Sequence, residues 1–104
     1  MTTTAFLSVS PTTGESMAPE VAKAVDALED HDVAYETTPM GTILEADDVG
    51  TIFAAAEAAH KAVDSDRVGT FLKIDDKRTV DRPAEAKVRK VEAELGREAV
   101  GERE

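Results

Sequence analysis

The sequence predicts an α+β domain, one antiparallel sheet with helices packed on one of its faces. Three observations point there. Thr4–Ser10 and Arg67–Asp75 alternate apolar and polar residues, as half-buried strands do. Two alanine-rich stretches, 19–30 and 49–63, repeat apolar residues at helical spacing. Two short, partly β-branched runs flank Pro39-Met40-Gly41, the pattern of a hairpin. With 104 residues the chain has room for a single domain.

Each element has its own signals. The first strand places Ala5, Leu7 and Val9 on one face and Phe6, Ser8 and Ser10 on the other, and stops at Pro11. Thr12–Ser16 is a loop that turns at Gly14. Ser16, Pro19 and Glu20 then start a helix whose apolar edge is Val21, Val25 and Leu28, ending near Asp30–Asp32. Val33–Thr37 and Thr42–Glu45 are the second and third strands. Asp47 or Asp48 caps the next helix, with Val49, Ile52, Phe53, Ala56, His60 and Val63 as its stripe. In the fourth strand Val68, Thr70, Leu72 and Ile74 face one way; Phe71, Lys73 and Asp75 face the other. A charged loop, 76–82, leads to Pro83 at a third helix with Val88, Val91 and Leu95 along its apolar edge and Gly96 at its end. The order β-α-β-β-α-β plus a C-terminal helix is the ferredoxin-like arrangement. It occupies residues 1–97, and 98–104 form an acidic, flexible tail.

Twenty-two Asp and Glu against twelve Lys and Arg give a net charge of −10. Such a surface repels phosphate backbones, so nucleic acid is not an expected partner. The abundance of carboxylates and the scarcity of lysine fit a halophilic, haloarchaeal cytoplasm. No apolar run reaches the ~18 residues of a membrane span, and the N-terminal segment carries no signal-peptide pattern, so a cytoplasmic location is expected. The chain has no cysteine, which excludes disulfides, thiol nucleophiles and thiolate metal sites. Neither His31 nor His60 stands at metal-ligand spacing, and no nucleophile–base–orienter set is legible. Asp75-Asp76 is a weak cation signal among many paired acids. The cluster of Lys77, Arg78 and Arg82 is the one basic patch, suited to a phosphate or, more simply, to pairing with its acidic surroundings.

If the two crossover helices cover one face of the sheet, period-two alternation leaves Phe6, Ser8, Ser10, Phe71, Lys73 and Asp75 together on the other. Two aromatics and two opposite charges there point to self-association around a small ligand pocket. The alternative is a partly wet face covered only by the third helix.

Ser8-Val9-Ser10-Pro11, Tyr35-Glu36-Thr37-Thr38-Pro39-Met40-Gly41-Thr42 and Lys73-Ile74-Asp75-Asp76-Lys77-Arg78 occur in this order across nearly the whole chain. In them the chain resembles the YkoF-like thiamine-binding protein family, also called UPF0045. The resemblance implies a ferredoxin-like domain that assembles as a homodimer or homotetramer. It also implies a pocket beside the sheet and the hairpin for thiamine or a related pyrimidine or thiazole compound, with no other cofactor.

Thiamine presents an aminopyrimidine, a cationic thiazolium and a hydroxyethyl arm, and needs an aromatic or apolar slot, polar partners and an opposing charge. Phe6 and Phe71 are candidates for the slot, Ser8, Ser10, Thr38 and Thr42 for hydrogen bonds, Met40 for the rim, and Glu45 or Asp75 for the charge. Lys73 suits a phosphorylated ligand unless Asp75 neutralises it. Each residue also has a plainer role: the phenylalanines as subunit contacts, Lys73 and Asp75 as an ion pair along a strand, the serines as strand residues, Pro39-Met40-Gly41 as a turn. The expected function is reversible, non-catalytic binding, as a carrier, buffer or sensor. An enzyme acting on a thiamine-pathway metabolite and a structural or regulatory oligomer with a vestigial pocket are the alternatives.

Overall fold

The computed structural model describes residues 2–12, 16–79 and 82–103. The elements run β1 (Thr2–Pro11), α1 (Ala18–Asp26) continued by a 3₁₀ turn (Ala27–Asp30), β2 (Ala34–Thr38), β3 (Gly41–Ala46), α2 (Val49–Ala62), β4 (Val68–Lys77) and α3 (Glu85–Leu95). The expected turn at Gly14 and the centre of the charged loop, 80–81, lie outside the described residues. Every neighbouring pair in the sheet, ordered β2-β3-β1-β4, is antiparallel. This is the ferredoxin-like α+β fold that the element order predicts. No helix among the described residues is long and apolar enough to cross a membrane.

Alternation along β1 decides which face becomes core. Thr3, Ala5, Leu7 and Val9 are buried towards α1 and α2 with Leu44, Ala46 and the partly buried Leu72 and Ile74. Leu28, Ile52, Ala55, Ala56 and Ala59 close the layer from the helix side. Six of the twelve buried apolar side chains in this core are alanine. The helices therefore meet the sheet at close range, and each contact removes little apolar surface from water.

The stripe of α2 differs from the expected one. Its buried line is Ile52, Ala55, Ala56, Ala59 and, just beyond, Val63. Phe53 and His60 are exposed on its flank, where a His60 ring nitrogen pairs with the Thr70 hydroxyl of β4. The i, i+3, i+4, i+7 line through the alanines fits the sheet, and a phenylalanine would hold the helix off it. Asp48 caps α2 as predicted, its carboxylate accepting from the Gly50 N–H at 2.7 Å. Glu20 of α1 accepts from the Asp64 N–H at 2.7 Å, which ties α1 to the segment after α2.

Gly41 opens β3 with φ +157°, and a Cβ there would lie 2.5 Å from Phe6 Cζ and 2.9 Å from the Leu7 carbonyl oxygen. The Phe6 ring thus packs over a position that only glycine fits. Gly41→Ala is expected to lower the unfolding free energy by about 2 kcal/mol, the usual range for a strained, overpacked site. A urea melt reads this directly, and an unchanged midpoint would mean that the ring moves aside without cost.

Candidate functional site

β1 is longer than its neighbour. It pairs with β4 along all ten residues, from Thr2↔Lys77 to Pro11↔Val68, but with β3 only as far as Leu7↔Thr42. Beyond Leu7, the side of β1 that faced β3 borders a cavity of about 240 Å³. α1 closes it through Met17, Val21, Val25 and Leu28, and the β2–β3 hairpin through residues 37–42. The volume lies just below the ~300 Å³ at which drug-sized pockets begin, so it suits one ring-sized group with the remainder of a ligand at the mouth.

Five of the ten predicted site residues line this cavity: Ser8, Ser10, Thr38, Met40 and Thr42. They are not equally available. The Thr38 hydroxyl donates to the Gly41 carbonyl at 2.8 Å and accepts from the N–H groups of Met40 and Gly41, at 3.2 and 3.3 Å. Thr38 is therefore the staple of the turn rather than a ligand partner, because its hydrogen-bonding capacity is used. Thr42 shares a 3.1 Å hydrogen bond with Thr37 and is buried on the helix-facing side. Ser8 and Ser10 border the cavity at the edge of β1; their hydroxyls make no hydrogen bond among the described residues. Met40, 79% exposed, stands at the rim with Met17. None of the lining side chains among the described residues is titratable.

The other five predicted residues do not line this cavity; they lie on the open face of the sheet, towards which the Ser8 and Ser10 side chains also project. Phe6 and Phe71 meet edge to face with ring centroids 5.9 Å apart, a diagonal pair across β1 and β4. They form no slot around the cavity. Glu45 is not a counter-charge, since its carboxylate accepts from the Ala84 N–H at 2.9 Å and holds the start of α3. The expected pairing of Lys73 with Asp75 is replaced by one between Asp75 and Lys87 of α3. Side chains two apart on a strand project in parallel, whereas Lys87 reaches Asp75 from across the face. Lys73 stays exposed beside Phe6 and Asp75, with no ion-pair partner among the described residues. Among the described residues no cluster of three or more His, Asp or Glu side chains is placed to hold a metal ion.

Asp75 and Tyr35 are among the ionisable groups shifted by their partners. The hydrogen bond from Lys87 holds the Asp75 carboxyl below its ordinary pKa. The Tyr35 hydroxyl donates to Glu29 of the 3₁₀ turn, which together with desolvation raises the phenol above its ordinary value. Sequence reading omitted the wall formed by α1. Its signal lay in Val21, Val25 and Leu28 at helical spacing together with a first strand that continues past the third.

A family model for thiamine-binding proteins matches residues 5–92. A UPF0045 protein of Methanothermobacter thermautotrophicus is 47% identical over 62 residues, 58% of this chain and 63% of that protein, so the match leaves more than a third of that relative uncovered. The crystal structure of a hypothetical protein of Methanocaldococcus jannascii superposes with a TM-score of 0.79 at 34% identity, over 86% of this chain and 95% of the other. A Thermotoga maritima protein with a suggested role in thiamine biosynthesis or salvage shares the fold, with a TM-score of 0.75 at 20% identity, over 88% and 99% of the two chains.

The Asp75–Lys87 contact gives a pH prediction with a defined sign. A carboxyl whose folded pKa is depressed favours the folded arrangement above its unfolded pKa and loses that contribution as pH falls through the folded pKa. Lys87→Met is expected to return the Asp75 titration towards the ordinary carboxylate range in a carboxyl-carbon NMR experiment. An unmoved titration would show that the contact does not persist in solution.

Proposed function

Because the chain belongs to the thiamine-binding protein family, we propose that it binds thiamine or a related aminopyrimidine compound reversibly in the cavity between α1 and the hairpin. The observation that carries this reading is a cavity walled by apolar side chains of α1 and by the hairpin, with Ser8 and Ser10, whose hydroxyls have no hydrogen-bond partner among the described residues, at its β1 edge. A pyrimidine ring between Met17 and Val21 on one side and Pro39 and Met40 on the other would gain apolar and sulfur contacts. Its amino and ring nitrogens would find Ser8 and Ser10. The cationic half of the ligand belongs at the mouth, because no carboxylate lines the interior among the described residues and charge is costly to bury unpaired.

That no titratable group lines the cavity among the described residues favours binding without chemistry, as a cytoplasmic carrier, buffer or sensor. Titration calorimetry with thiamine, its phosphates and free hydroxymethylpyrimidine, in molar KCl, tests the proposal. Saturable binding is expected, weakened about tenfold by a Ser8→Ala and Ser10→Ala pair, the scale of one or two lost hydrogen bonds. Heat from none of these compounds would remove thiamine-type ligands from consideration.

A second copy of the chain is the proposed cover for the open face. α3 has no buried residue, and Val88, Val91 and Leu95 stay exposed along one edge. Phe71 is 60% exposed on the neighbouring β4. The radius of gyration is 15.4 Å, where a compact chain of this length has about 13 Å. Burying that stripe and Phe71 against a partner accounts for both features, as a homodimer or a homotetramer. Val91→Glu is expected to shift the mass seen by light scattering to that of the monomer. A parent protein that is already monomeric at micromolar concentration would reject this assembly.

A further inference from the structure

We propose that a cleft at the other end of β1, between its first residues and the start of α3, binds the head of a phosphate-type oxyanion. Eight of the twelve Lys and Arg fall between Arg67 and Lys90, against four of the 22 carboxylates. β4 and α3 are thus a basic region in a chain whose net charge is −10. Lys77, Arg82, Lys87 and Lys90 line one concave surface there, with Thr2, Thr4 and the Pro83–Ala84 turn.

Three of the neighbouring carboxylates among the described residues already have partners. Asp75 pairs with Lys87 and Asp76 with Arg78 at 3.2 Å, while Glu45 holds the Ala84 N–H. Lys77, Arg82 and Lys90 have no anionic partner among the described residues. Three like charges facing one cleft repel one another, an arrangement that a bound anion would relieve. The cleft encloses about 20 Å³, room for about one water-sized group. It therefore takes in one oxygen of a compact oxyanion, with the remaining oxygens at its rim among the basic side chains and the rest of any ligand in solvent. A guanidinium and two ammonium groups, with the Thr4 hydroxyl as a further donor, match a tetrahedral oxyanion. The cleft lies at the Thr2 end of β1 and the larger cavity at the Ser10 end, so the two sites are separate.

Inorganic phosphate titrated into the purified protein at constant ionic strength in KCl, followed by ³¹P NMR and calorimetry, tests the proposal. Saturable binding is expected, weakened at least tenfold in both Arg82→Gln and Lys90→Gln. Lys61→Gln on α2, where the lysine pairs with Glu57, is expected to bind as the parent does. Adenosine monophosphate forms a second arm. Binding at least as tight as phosphate assigns the site to a phosphate ester, and binding of phosphate alone assigns it to the free ion. Absence of saturation, or equal binding by both cleft variants and the parent, would overturn the site.

Discussion

The mismatch in length between β1 and β3 is the constraint on which the rest of this structure depends. A ten-residue central strand flanked by a six-residue neighbour leaves part of one side without a partner strand. That notch has to be covered, and α1 with the hairpin does so, leaving a cavity instead of a fourth layer of core. The hairpin can end early because Thr38 satisfies the turn internally and Gly41 lets Phe6 lie across it. One short strand therefore sets the position of the cavity and the tight contact of Phe6 over Gly41 on the open face.

The same alternation that buries Leu7 and Val9 sends Phe6, Ser8 and Ser10 outward, so the two faces of the sheet have different partners. On the covered face, alanines let the helices approach closely. On the open face, contacts to α3 are polar: Glu45 to the Ala84 amide and Asp75 to Lys87. The basic groups of β4 and α3 gather around those tethers, and the carboxylates dominate the remainder of the surface. Charge in this protein is sorted by location.

Much of the fold was legible because it rests on period-two alternation and on Gly, Pro and Asp at turns and caps. The face assignment of β1 and β4, the cap at Asp48 and the end of α3 at Gly96 all follow from such local chemistry. The stripe of α2 was less so, because alanine reads as filler in a sequence yet forms the contact line when a helix lies close to a sheet. The candidate site was half legible. Ser8, Ser10, Thr38, Met40 and Thr42 come together, but whether a hydroxyl is free depends on its hydrogen bonds, which spacing does not encode. Glu45 and Asp75 look like counter-charges in sequence; only their tertiary neighbours, Ala84 and Lys87, show that they are structural.

Among the described residues, two polar contacts fasten α3 to the body, and none of its side chains is buried. Its opening as a unit exposes little new apolar surface, so the free energy of that opening lies well below that of global unfolding. Its backbone amides should then exchange with solvent deuterium far faster than those of β1 in the isolated chain. Any event that covers the helix would be read out as a slowing of that exchange. The C-terminal helix is in this sense the reporter segment of the molecule, the part whose local equilibrium records whether the open face is occupied.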